Sequence, residues 1–114
     1  MKTNYHFIKK EEFMDKIVNE IGVSALLEQT AEECAELGQA CLKASRKFRG
    51  ENPTPTNVMT ILENVCEEMA DVLLCIEVVK DSGIINPQIV DQYYNAKLER
   101  WKQRLNINQE GDQK

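Results

Sequence analysis

An all-α fold is what this sequence predicts, and three observations predict it. Apolar residues recur at the three- and four-residue spacing of a helix face over four long stretches. No stretch shows the sustained alternation of a strand bounded by turns, and five Gly and three Pro among 114 residues leave room for few turns. Apolar residues at 42% and charged residues at 29% describe a globular chain, and its length suits a single domain spanning residues 1–114, with a core over about 9–105. Folding at this size removes roughly two-thirds of the surface that the unfolded chain exposes.

Punctuation sets the elements. A first helix is expected over Lys9 to Ile21, where Phe13, Ile17, Val18 and Ile21 share a face and Gly22 follows the last periodic residue. Ser24 is expected to cap a second helix running to about Phe48. The polar loop RGENPTPTN separates it from a third helix, capped by Thr54 or Thr56, with Pro55 in its first turn, and continuing to about Lys80. DSGIINP ends that helix, Asn86 and Pro87 form a cap and first-turn pair for a fourth, and periodicity stops near Leu105. Residues 106–114 read as a frayed tail.

Charge narrows the function classes. The net charge of -5 argues against wrapping a nucleic-acid backbone, which demands many Lys and Arg on one continuous surface. Two basic clusters nevertheless stand out, Lys43, Arg46, Lys47 and Arg49, and then Lys97, Arg100, Lys102 and Arg104, so small phosphorylated ligands remain open. Cys34, Cys41, Cys66 and Cys75 lack CxxC spacing and have one His, His6, to accompany them, so they read as small core residues of a reducing cytoplasm. The longest purely apolar run, Val72 to Ile76, is too short to span a bilayer, and MKTNYHFIKKEEF has no apolar stretch fit for export. A cytosolic protein without membrane contact is expected.

The most informative feature is an internal echo. Leu26 to Leu42 aligned with Ile61 to Glu77 at a constant offset of 35 residues gives the identities Leu27/Leu62, Glu28/Glu63, Glu32/Glu67, Glu33/Glu68 and Ala35/Ala70. Gln29/Asn64, Glu36/Asp71 and Leu37/Val72 match in kind. Two helices related by a pseudo-twofold axis are implied, and antiparallel packing would let their acids face each other.

At about 100° per residue, Glu33 and Glu36 lie roughly 60° apart on one side of their helix, as do Glu68 and Asp71 on theirs. On the helical wheel Glu33 falls just outside Leu26, at the edge of an arc made by Leu26, Leu37, Thr30, Cys41, Cys34 and Leu27; Glu68 falls just outside Ile61. Both acids are therefore expected to be partly buried, whereas Glu28, Glu32, Glu63 and Glu67 lie farther round on the surface. Four converging carboxylates repel unless protons are retained or a cation is present. All-oxygen ligation suits Mg²⁺ or Mn²⁺, and Mg²⁺ keeps positions for water and phosphate oxygens. A solvated acidic face is the alternative for one isolated EExxE; repetition beside the apolar arc of a second helix argues against it. A di-iron bundle is excluded because neither copy carries the histidine of Glu-x-x-His.

The basic residues acquire roles beside such a site. Lys43 and Lys47 project within about 20° of the Glu36 direction, two and three turns onward, and would meet phosphate groups extending from a metal. Their competing role is to complement the helix dipole. On the fourth helix Tyr93, Lys97, Arg100 and Arg104 share a face beside an apolar stripe of Val90, Tyr94, Leu98, Trp101 and Leu105.

The pair EECAE at 32–36 and EMAD at 68–71 resembles the MazG-like all-α nucleoside triphosphate pyrophosphohydrolase superfamily, whose hallmark is EExxE on one helix and ExxD on the next. The resemblance spans about residues 24–105. It implies a four-helix bundle of the all-α NTP pyrophosphatase type and coordination of Mg²⁺ by Glu33, Glu36, Glu68 and Asp71. Lys97 and Arg100 fall where such proteins often carry phosphate-contacting residues. The implied reaction is Mg²⁺-dependent cleavage of an NTP or dNTP between its α and β phosphates, giving a monophosphate and pyrophosphate, with Glu33 or Glu36 as general base and Lys43, Lys47, Lys97 and Arg100 on the phosphates. RGENPTPTN makes the interval between the motifs long for this family, and the tandem arrangement of full-length MazG is absent. A homodimer or homotetramer is expected, built on the first helix and the Tyr94/Trp101 face. The alternatives are a non-catalytic helical interaction module and a nucleotide-binding sensor.

Overall fold

The structure, a computed structural model, describes residues 10–51 and 57–106, less the side chains of 10, 11 and 13–15. Over these residues the chain is all-α: α1 (Lys10–Ile21), α2 (Val23–Arg49), α3 (Val58–Asp81) and α4 (Pro87–Leu105), with no strand among them. Among the described residues, those up to Ile84 form one compact unit and those from Ile85 form another. No helix among the described residues is long and apolar enough to cross a membrane.

In the first unit a single residue turns α1 into α2. Gly22 adopts φ 85°, donates its N–H to Val18 O at 2.9 Å and accepts from Leu26 N at 3.1 Å, so it closes one helix and opens the next. Only glycine takes that conformation without strain. Ser24, expected as the cap of α2, lies inside the helix instead, because Gly22 starts it earlier than a side-chain cap would. Gly50, in the left-handed region at φ 70°, ends α2 by donating to Lys47 O, while Glu51 N reaches Arg46 O. Arg46, Lys47 and Arg49 occupy the last turn, where cations complement the helix dipole.

α3 starts at Asn57, whose Oδ1 accepts from Thr60 N at 2.9 Å. This corrects the expected Thr54 or Thr56 cap; residues 52–56 lie outside the described set. Asn caps a helix as well as Thr or better. Ser82 closes α3, its hydroxyl donating to Val79 O and accepting from Ile84 N.

α2 and α3 form the body of the first unit, with α1 packed on both. Their pairing runs in opposite directions. Leu26 packs with Val78, Cys75 neighbours Thr30 and Glu33, and Asn64 shares a cleft with Gln39, Ala40 and Lys43. The two helices are therefore antiparallel, joined by the short 50–57 link. Leu26 and Val78, each 2% exposed, are joined by Ile17 and Val18 of α1 and by Val79 and Ile84.

The seam between α2 and α3 follows one rule on both sides. Leu26, Thr30, Glu33, Leu37, Ala40 and Ala44 are buried or half-buried on α2, at alternating spacings of four and three residues. On α3 the buried or half-buried set Ile61, Val65, Glu68, Val72, Cys75 and Val79 repeats it position for position at the offset of 35. This four–three spacing keeps one stripe facing a partner helix along its length. The small side chains of Ala40 and Ala44 let the backbones approach.

The second unit is α4. Asn86 caps it through Oδ1, which accepts from Gln88 N, and Pro87 fills the first turn, as the sequence predicts. Asn106, left-handed at φ 59°, ends it after Leu105. Val90, Tyr94, Leu98, Trp101 and Leu105 are all exposed. The expected tail beyond Asn106 lies outside the described residues.

Candidate metal centre

The acids of the two motifs meet in the middle of the α2–α3 seam. Glu33 and Glu68 occupy the seam itself and are half-buried, while Glu36 and Asp71 stand one turn on, exposed. This refines the wheel reading, which placed Glu33 at the edge of an arc containing Cys34, Cys41 and Leu27. Those three are exposed, and the arc is rotated towards Ala40 and Ala44. Cys66 is exposed too, so of the four cysteines expected in the core Cys75 alone is buried there.

Carboxylate oxygens of Glu33, Glu36 and Glu68 lie within 4.8 Å of one another. Glu33 faces Asp71 and Glu68 faces Glu36 across the seam, each pair close enough to hydrogen-bond if one member holds a proton. The two pairs are equivalents under the offset of 35, so the pseudo-twofold axis runs through the acid cluster. Glu33 Oε1 and Glu68 Oε1 are buried without a hydrogen-bond partner. Buried acceptors are nearly always paired, and carboxylates facing carboxylates have no donor to offer. An all-acceptor group of this kind fits a hard divalent cation chemically. Glu28, Glu32, Glu63 and Glu67 are exposed, as expected from their place farther round.

Electrostatics reflects the crowding. Burial pushes the Glu33 carboxyl above the ordinary glutamate range, with Glu36 and Asp71 adding to the effect and the Gln29 amide opposing it. Burial likewise raises Glu68, followed by Glu36, Asp71 and Glu33. The Cys75 thiol is raised by burial as well, against a hydrogen bond with Thr30. A carboxyl with a raised pKa in the folded state holds more protons there than in the unfolded chain. Stability from Glu33 and Glu68 is therefore greatest below the ordinary value near 4.3 and is lost as pH rises through their folded pKa. In EDTA, the melting temperature of a Glu33→Gln/Glu68→Gln variant relative to wild type should accordingly climb as pH rises from about 4.3 towards neutrality. A difference that stays flat with pH would contradict this.

Beside the acids lies an open cleft of about 400 Å³ lined by Glu36, Gln39, Ala40, Lys43, Asn64 and Glu68. It continues towards the start of α3 as a wider groove of about 890 Å³, where Lys43 meets Thr60, Ile61, Glu63, Asn64, Cys66 and Glu67. Lys43 is thus brought to the acids' side of the hairpin, in line with Glu36. Lys47 is half-buried in the last turn of α2. Lys97 and Arg100 are exposed on α4, in the second unit.

Two amides went unassigned in the sequence reading. Gln29 Nε2 donates to Glu33 Oε2 at 3.0 Å, one turn away on α2. Asn64 occupies the equivalent place before Glu68 and lines the cleft. The signal that locates them is a side-chain amide four residues before each seam glutamate.

No protein-family model matches the chain, and neither a curated protein nor a solved structure matches it.

Proposed function

We propose that the α2–α3 hairpin holds a divalent cation, Mg²⁺ or Mn²⁺, through Glu33, Glu36, Glu68 and Asp71, and that the protein is a nucleoside triphosphate pyrophosphohydrolase. The observation that carries this reading is the meeting of three carboxylates within 4.8 Å, two of them with a buried, unpartnered oxygen. Exposed acidic clusters are common without a metal; buried acceptors without a partner are not, since each is an unsatisfied polar group. The paired EExxE and ExxD motifs supply the resemblance that gives the reaction.

When bound, the cation supplies charge neutralisation and Lewis-acid polarisation of phosphate oxygens. The chain's own residues do the rest. Glu33 or Glu36 would take the proton of a water attacking the α-phosphorus at a carboxylate oxygen. The bond from that phosphorus to the α–β bridging oxygen breaks, and the products are a monophosphate and pyrophosphate. Lys43, on the cleft wall beyond Glu36, would neutralise the departing pyrophosphate, with Lys47 one turn farther along α2. Contacts of Lys97 and Arg100 with phosphate rest on the resemblance. The cleft volume is of the order that small-molecule sites use. Exposed apolar side chains such as Leu73, Leu74, Tyr94 and Trp101 support a homodimer or homotetramer.

Incubation with a panel of NTPs and dNTPs plus Mg²⁺ should release monophosphate and pyrophosphate from at least one member. A silent panel, with a melting temperature that Mg²⁺ does not change, would overturn the reading in favour of an interaction module. Nucleotide binding without turnover would mark a sensor.

A further inference from the structure

The α2–α3 hairpin is symmetric in its acids and asymmetric in what supports them. Gln29 and Asn64 are equivalent under the offset of 35, each four residues before a seam glutamate. Gln29 is long enough for its amide to reach one turn along the helix, and it donates to Glu33 Oε2 at 3.0 Å. That bond fixes one carboxylate oxygen and leaves the other, Oε1, buried and unpartnered. Asn64 is one methylene shorter. It lines the cleft beside Glu68, whose Oε1 is likewise buried and unpartnered.

We infer that Gln29 is a positioning residue that pre-sets Glu33 as the fixed ligand of the centre, while Glu68, backed by the shorter Asn64, is the adjustable arm. The inference rests on the metal-binding reading given above. Its physical basis is general: a ligand carboxylate held by a hydrogen bond on one oxygen need not be immobilised at the moment of binding, and groups in this supporting position commonly change metal affinity by about ten- to a hundredfold. Because Gln29 is exposed, the lower end of that range applies here.

The test uses Mn²⁺ as the probe, titrated into the full chain and followed by its electron paramagnetic resonance signal. Gln29→Met keeps length and helix propensity but removes the donor, and it should weaken Mn²⁺ about tenfold. Gln29→Asn should do the same, since it reproduces the short arm of Asn64. Asn64→Gln should strengthen binding, because it gives Glu68 the support that Glu33 already has. Melting in EDTA separates this from a role in helix stability, which would move the metal-free transition and leave Mn²⁺ affinity alone. Wild-type affinity in Gln29→Met and Gln29→Asn would overturn the inference while leaving the metal reading intact. Absence of Mn²⁺ binding by the wild type would overturn both.

Discussion

Glu68→Gln is expected to lower Mg²⁺-dependent pyrophosphate release by about two to three orders of magnitude while the helical content stays intact. The substitution keeps the size of the side chain and removes one negative charge from the seam. Glu68 is half-buried, faces Glu36, and carries one of the two buried unpartnered oxygens, so its charge acts directly on the rest of the cluster. Removing that charge relieves repulsion in the metal-free protein, so melting in EDTA at neutral pH should occur at or above the wild-type temperature. The Mg²⁺-induced rise in melting temperature should shrink in parallel with activity, since a cation that binds only the folded state stabilises it by mass action. Glu28→Gln, on an exposed part of α2, is the control and should behave as wild type. Full activity in Glu68→Gln would refute the assignment of this glutamate.

The pairing of the acids was legible because it is written twice. An offset of 35 residues maps one seam onto the other, and in an antiparallel pair charges at equivalent positions meet when they lie near the axis relating the two helices, as these do. Less of the supporting geometry could be read. The wheel placed Glu33 at the rim of the apolar arc because Leu27, Cys34 and Cys41 outweigh Ala40 and Ala44 in apolar character. Packing follows a different criterion: on α2 the small side chains of Ala40 and Ala44 allow close approach of the helices and take the seam, while Leu27, Cys34 and Cys41 stay exposed. The caps show a similar limit. Ser24 and the threonines of 52–56 were chemically able to start helices, but Gly22 and Asn57 do so in the structure, and local sequence ranks such candidates too closely to choose. Asn86 carries a proline in the next position, a first-turn signal that Asp81 and Ser82 in the same turn lack, and it starts α4 as the sequence predicts. The Gln29 bond to Glu33 depends on side-chain reach, which a face diagram does not represent.

Leu26→Ala should cost about 2–5 kcal/mol of stability, measured as a shift in urea midpoint with little change in slope. That is a large share of the roughly 5–15 kcal/mol typical of a domain. Leu26 is 2% exposed and packs with Val78, where Ile17 and Val18 of α1 close over the α2–α3 seam. Its equivalent under the offset of 35 is Ile61, 4% exposed at the opposite end of the seam. Ile61→Ala removes a side chain of similar size, yet Ile61 lines the open groove beside Lys43 and is not among the residues of the Leu26–Val78 cluster, so neighbours there can relax into the space more easily. The loss should therefore be smaller for Ile61 than for Leu26, in spite of nearly equal burial. Leu26 lies two turns from Glu33 on the same stripe. Well below its lowered melting temperature, the Leu26→Ala protein should keep most of its Mn²⁺ affinity, because the register at the acids is also set by Ala40, Ala44 and Ile61, which are buried on the far side of them. If affinity instead collapsed together with stability, the acids would depend on the Leu26–Val78 end for their alignment, and the central seam would not be the element that brings them together.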